Sequence, residues 1–462
     1  MDAPQQITAQ VSPIQIGFAD SWLPALYCGL SGRVSAISGS AWGLGQRADV
    51  FEGFRNPADP KSEWHDAAHA DSPLYRQGDV SAFRIEVDGD HWQRPIVSGD
   101  YCVRPDDLLV TRIPPLRSGL ITARHHRHPV DPQVFCIRGL TVAEGAWVAA
   151  LLNQDEYEAH LVASSASQAL PRVSLKALRR TPIPQVPELA ARWASGVVLV
   201  LGEMVANQER LFRLQEEVES VVEGLSAGVE SKAETRLWGR VSAPGLTVDS
   251  WVPAHVESDS ALTRLANAGW CPLADLVRQS PTSRLRSWPN EAQGLSLADV
   301  SGCFIPEDEQ SAPGTRPGRF YAAPLKPGDV LMSTLVSSPK VAYADVSTPE
   351  PIHAVDLWAR LQFRETPGAY ALILGCRAIC DELRHLAVGT AQQFATASSL
   401  LRLCLPAIDR ETRERWHRRL EDVLLERRRL EKQFRELRLE GRRMVAEALN
   451  IPWSEMKARP MK

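Results

Sequence analysis

Between Arg112 and His128 the chain crowds cationic and imidazole side chains together: Arg112, Arg117, Arg124 and Arg127, with His125, His126 and His128. Guanidinium groups present paired N–H donors that fit phosphate oxygens, so a group of this density reads first as an anion-binding surface, with DNA phosphate the natural anion. Farther along, Arg172, Lys176, Arg179 and Arg180 extend the same character. The second half offers Arg284, Arg286, Arg316, Arg319, Lys326 and Lys340 for phosphates, and Gln392 and Gln393, whose amides suit a base edge or the backbone. Any one of these taken singly reads equally well as solvated surface charge.

Other chemistries fit worse. His125, His126 and His128 with Cys102 and Cys136 raise the question of zinc, yet no Cys-x-x-Cys or His-x3-His spacing is present, and no metal site is expected. The glycines from Gly39 to Gly45 match neither a dinucleotide nor a P-loop spacing, and no lysine follows them. Cys376 and Cys380 read as core thiols. With no methyl-donor motif and no nuclease-like acidic cluster, the chain is expected to be non-catalytic, with no catalytic residue, cofactor or metal of its own.

Composition bounds the class. The chain has 462 residues, 44% hydrophobic and 23% charged, which describes a soluble globular protein of two or three domains. A formal charge of -4 argues against a wholly basic surface, but a local cationic face remains compatible with it. Eight scattered cysteines fit reduced thiols, and neither a long apolar run nor a secretory start is present, so a cytoplasmic location without membrane contact is expected.

Two long amphipathic helices are expected to position these groups. From 187 to 224, Trp193, Val197, Val200, Met204, Leu211, Leu214, Val218 and Val221 follow alternating three- and four-residue steps, with Asn207 at one seam position. From 409 to 450, Trp416, Leu420, Val423, Leu430, Phe434 and Leu437 do the same, with Arg427 and Gly441 interrupting the series. Each stripe needs a partner to bury it, and the simplest partner is the other helix. At about 1.5 Å per residue each helix is about 55–60 Å long, enough for a spacer rod. The charges along the final helix alternate Arg and Glu, as on an ion-paired solvated face.

The helices punctuate a repeat. A mixed α/β domain is expected over 14–186, with strands at Val80 to Val87, Leu108 to Ile113 and Val134 to Ile137 and a helix from Gly145 to His160. A connector follows at 225–260, and a second domain at 261–408. Lys326-Pro327-Gly328-Asp329 matches Arg104-Pro105-Asp106-Asp107 at an offset of 222 (326 minus 104), Gly368 matches Gly145 at 223 and Leu405 matches Ile183 at 222. An offset held over this length points to tandem duplication of one unit, domain then helix. Trp270-Cys271-Pro272 echoes Trp22-Leu23-Pro24 at 248, which would give the first domain about 26 extra residues.

These features resemble the specificity (S) subunits of Type I restriction-modification systems, the HsdS-like family. The resemblance rests on the tryptophan starts, on Lys326-Pro327-Gly328-Asp329-Val330-Leu331, on Gly389-Thr390-Ala391-Gln392-Gln393-Phe394, and on Leu400 to Pro406 leading into the last helix; it covers Trp22 to Leu449. The first half departs from it with Asp106-Asp107 and with Ser164-Ser165-Ala166-Ser167-Gln168. The resemblance implies an α+β fold of two similar α/β target-recognition domains, each followed by a long helix, the two helices forming an antiparallel coiled coil with pseudo-two-fold symmetry. It implies double-stranded DNA as ligand, two methyltransferase subunits as partners and, in the family, a motor nuclease that joins them. The competing expectation is a scaffold of the same descent that holds partners through its coiled coil without binding DNA. Under the ruler idea, lengthening either helix by one heptad is expected to change the gap tolerated in a two-part DNA target; random-pool selections returning an unchanged gap would count against it.

Overall fold

The computed structural model describes residues 24–37, 41–53, 73–86, 102–165, 172–227, 269–278, 293–295, 297, 300, 303–305, 324–336, 339–345, 352–354, 357–385 and 394–457. In chain order the elements are α1 (Pro24–Ala36), β1 (Ala41–Gly43), α2 (Leu44–Arg47), β2 (Asp49–Glu52), β3 (Leu108–Thr111), β4 (Ser118–Leu120), β5 (Val134–Arg138), α3 (Val142–Leu152), α4 (Asp155–Ser164), α5 (Leu175–Arg180), β6 (Pro182–Pro184) and the long α6 (Ala190–Ala227). Then come β7 (Cys271–Pro272), α7 (Leu273–Leu276), β8 (Val277–Arg278), β9 (Gln293–Leu295), β10 (Asp329–Ser333), β11 (Val341–Tyr343), β12 (Ile352–Ala354), β13 (Trp358–Phe363), α8 (Pro367–Leu374), α9 (Arg377–His385), α10 (Ala397–Leu400), β14 (Cys404–Leu405), the long α11 (Arg410–Ala448) and α12 (Trp453–Lys457). The fold is α+β. No helix among the described residues is long and apolar enough to cross a membrane. The expected connector lies outside the described residues beyond Ala227.

Packing divides the chain into two compact units, Met1–Ala206 with Leu430–Lys462, and Asn207–Arg429. Each unit therefore takes one half of α6 and one half of α11.

In the first unit an antiparallel sheet runs in the order β2-β5-β3-β4, with Leu108 opposite both Ile137 and Leu120. All four residues of β3 are buried because both faces of the sheet are covered. Leu108 and Val110 face the main core with α3, while Leu109 faces a smaller core with Tyr75, Val80 and Cys136. Helix α3 begins with a capping box in which Glu144 N donates to Thr141 Oγ1 at 3.3 Å and Thr141 N donates to Glu144 Oε2 at 2.9 Å. The helix expected over Gly145 to His160 is two helices. Asn153 caps the first of them: its N–H still donates to Ala149 O at 3.2 Å, while its side chain accepts from Ser118 N at 2.9 Å and donates to Ser118 O at 3.0 Å, which pins β4. The run expected from Val80 as a strand forms isolated bridges instead, among them Phe83 to Gly119.

The second unit repeats this plan with the order β8-β13-β10-β11, all antiparallel. In both units a short pair closes the domain before the long helix, β1 with β6 and β7 with β14. Trp42 faces Ile183 there, and Cys271 faces Leu405. Cys271 thus answers to Trp42 at an offset of 229 (271 minus 42), so Trp270 answers to Ala41 and not to Trp22. Measured from these strands, the extra length of the first half is seven residues (229 minus 222) rather than about 26.

The long helices pack antiparallel in each unit. In the first, Trp193, Val197, Val200 and Met204 from the early part of α6 share a core with Leu430, Phe434, Leu437 and Met444 from the late part of α11. Trp193 Nε1 donates to Leu437 O at 2.8 Å, and the indole occupies the space left by Gly441. In the second unit Leu211, Leu214, Val218 and Val222 from the late part of α6 meet Trp416, Leu420 and Leu424 from the early part of α11. Val423 is buried as well, and Asn207 Nδ2 donates to Val423 O at 2.9 Å, which gives this buried seam amide a partner and marks the register. Val221, expected in the seam, is 39% exposed, and Val222 takes the buried position one 100° step around the helix.

Gly441 interrupts the apolar series because a Cβ there would stand 2.6 Å from Trp193 Cζ2. Gly441→Ala is expected to destabilise the chain by about 1–2 kcal/mol in chemical denaturation, overpacking outweighing a helix-propensity gain of about 1 kcal/mol. Gly202→Ala, at an open helical site, is expected to show the gain alone; stabilisation by both changes would refute the packing argument.

Candidate nucleic-acid interface

The turn before the central strand has the same construction in both units. Asp107 is buried at the start of β3, where it accepts from Arg104 N at 2.8 Å and from the Arg138 guanidinium, Nη2 to Oδ2, at 2.7 Å. Cys136 Sγ lies 3.5 Å from the same carboxylate. Asp329 is buried at the start of β10, accepts from Lys326 N at 2.6 Å and from Gln362 Nε2 at 2.9 Å, and is ion-paired with Arg360. By sheet register Cys136 and Arg138 answer to Arg360 and Gln362. The aspartate is retained, and its arginine has moved two residues along the same face of the facing strand. Asp106, the first-half departure, has φ 71° where Gly328 has φ 91°. It adopts the left-handed conformation the turn requires, which aspartate tolerates better than most residues.

A second left-handed residue recurs beside β4 and β11. Phe83 has φ 67° and Cys303 has φ 65°. Leu120 N donates to Phe83 O at 3.1 Å, and Tyr343 N donates to Cys303 O at 3.0 Å. Phe83 packs edge-on against Trp193 and Phe434, while Arg84 donates to Glu431 Oε1 at 2.8 Å. In the second unit Arg428 donates to Asp345 Oδ1 at 3.0 Å and to Ile305 O at 3.2 Å, with its guanidinium over Phe304. Each sheet is thereby tied to a long helix.

The candidate cations separate on this framework. Arg117, Arg124 and Arg127 are exposed in the first unit, as are Lys176 and Arg180. Arg112 is half-buried, its guanidinium over Phe135 and its Nη2 3.5 Å from Glu52 Oε1. Arg172 is half-buried beside it in the backbone, since Val173 N donates to Arg112 O at 2.9 Å. Arg179 is committed to Val50 O, with Nη2 donating at 2.6 Å. His125 is corrected from ligand-facing to structural: its ring is buried and Nδ1 accepts from Thr122 N at 2.9 Å. In the second unit Lys326 is exposed, but Lys340 is spent, its Nζ donating to Leu297 O at 2.9 Å and Val300 O at 3.0 Å. Arg284, Arg286, Arg316, Arg319, Gln392 and Gln393 lie outside the described residues.

Among the described residues no group of three or more His, Cys, Asp or Glu stands close enough to hold a metal ion. His128 is fully buried. Burial pushes the Cys102 thiol up to about 11 and the Cys303 thiol up to about 12, so these sulfurs stay protonated at neutral pH and behave as core groups. Sequence reasoning did not pick out Arg138, Arg360 or Asn153, which hold the sheet. The recurrence of Asp107 as Asp329 was the available signal for the first two.

No family model matches the chain, and no curated protein matches it. Solved structures similar to it over most of its length include two specificity subunits. The HsdS subunit from Thermoanaerobacter tengcongensis is 15% identical over 88% of this chain and 95% of its own, with a TM-score of 0.25. The S subunit of the Type I restriction-modification system from M. genitalium is 10% identical over 89% and 95%, with a TM-score of 0.33.

Asp106→Gly is expected to stabilise the chain by about 0.5–1 kcal/mol, because relief of the left-handed cost exceeds the entropy lost by glycine. Gly328→Ala is expected to lose about 1 kcal/mol or more. Urea denaturation measures both, and a loss from Asp106→Gly would show that its carboxylate makes a contact of its own.

Proposed function

We propose that this chain is a non-catalytic, sequence-specific DNA-recognition subunit of a Type I-like restriction-modification or related defence methyltransferase complex. The observation that carries the reading is the duplicated unit: two four-stranded sheets of one strand order, each with a buried aspartate at the same turn and a left-handed residue at the same edge. Two related reading modules on one chain suit a target in two parts, with phosphate contacts placing each module and a few base contacts selecting sequence. Among the described residues, Arg117, Arg124, Arg127, Lys176 and Arg180 in the first unit and Lys326 in the second are the exposed candidates for phosphates. Duplicated surfaces also suit two copies of one partner, here two methyltransferase subunits, with a motor nuclease as a further partner of the assembled complex.

The test is selection from random duplex pools with the chain bound to its methyltransferase partner. Enrichment of a two-part motif is the expected outcome. Partner assembly without enrichment at any salt would instead favour the DNA-free scaffold.

A further inference from the structure

The same sheet edge can be followed in both units, residue against residue. At the turn between the third and fourth strands, Thr111 N donates to Arg117 O at 2.9 Å in the first unit, and Ser333 N donates to Lys340 O at 2.8 Å in the second. Beside that turn Val173 N donates to Arg112 O, and Ala395 N donates to Thr334 O, each at 2.9 Å. Arg112, Arg117 and Arg172 therefore answer to Thr334, Lys340 and Phe394.

The chemistry at these equivalent positions differs. The first unit carries three arginines at this turn, brought together by their backbones. The turn is clamped from inside, with Arg117 N donating to Thr111 Oγ1 at 2.8 Å and Leu116 N donating to Glu158 Oε2 at 2.8 Å. Arg117 is exposed, and the Nε atoms of Arg112 and Arg172 are buried without a hydrogen-bond partner. The opposing charges named at this edge are Glu52, near Arg112, and Glu158, at Leu116 N. At the second edge Thr334 Oγ1 donates to Leu357 O at 3.1 Å, the Lys340 ammonium is held by two carbonyls, and Phe394 brings no charge.

Resting on the DNA-binding reading above, we infer that Arg112, Arg117 and Arg172 form a phosphate-holding edge, and that the equivalent positions of the second unit, Thr334, Lys340 and Phe394, hold no phosphate. Each phosphate neutralised releases counterions and adds about 0.9 to the slope of log affinity against log salt on duplex DNA.

The experiment measures binding of the full chain to a short labelled duplex over a range of KCl concentrations, with thermal unfolding recorded for each variant. Arg117→Gln is expected to lower the magnitude of the slope by about 0.9, and Arg112→Gln with Arg117→Gln and Arg172→Gln by about that amount for each arginine. Lys340→Gln is expected to leave it unchanged. An unchanged slope in a folded Arg117→Gln variant would overturn the inference, as would an equal loss from Lys340→Gln. If the triple variant unfolds, Arg117→Gln decides, since its side chain is exposed. A wild-type chain that binds no duplex at any salt fails differently: it removes the DNA-binding reading itself.

Discussion

A carboxylate set at the buried start of a central strand is the constraint around which each unit is built. Taken from water alone, such a group costs several kcal/mol, so it survives only where donors converge on it. Asp107 receives the Arg104 amide and the Arg138 guanidinium, and Asp329 receives the Lys326 amide, the Gln362 amide group and Arg360. Meeting that need closes the turn, places a residue at positive φ just before the strand, and joins the strand to its neighbour. Removing either arginine alone would leave an uncompensated charge in the core.

The two units show how far this arrangement drifts while its physics is kept. Period-two geometry puts Cys136 and Arg138 on one face of β5, and Arg360 and Gln362 on the corresponding face of β13, so the cation reaches the carboxylate from either position. Glycine at the turn is likewise replaceable by aspartate, at a modest conformational cost. The first-half departures are therefore substitutions within one construction.

The left-handed Phe83 and Cys303 carry a related lesson. A non-glycine residue at positive φ costs about 1–3 kcal/mol and persists only where surrounding contacts hold it. Here the contacts are backbone hydrogen bonds to β4 or β11 and side chains that engage α6 or α11. The residue links a sheet to the helices that carry it, and the same solution stands in both copies.

The sequence alone determined the duplicated plan and the two long helices, because a repeat offset and an apolar stripe are properties of spacing, and spacing is written in one dimension. It also marked Gly441 as an interruption, though not why, since the reason is the Trp193 indole arriving from residues far away in the chain. Only the tertiary structure decided which of Val221 and Val222 faces the seam, where the helix breaks at Asn153, and that Trp270 answers to Ala41. The same holds for the candidate site. His125 and Lys340 look as available in the sequence as Arg117, but folding sets the His125 ring against Thr122 and Ile85 and the Lys340 ammonium against the Leu297 and Val300 carbonyls. A charged side chain's freedom is set by the partners that folding brings to it, and no local pattern of residues encodes those.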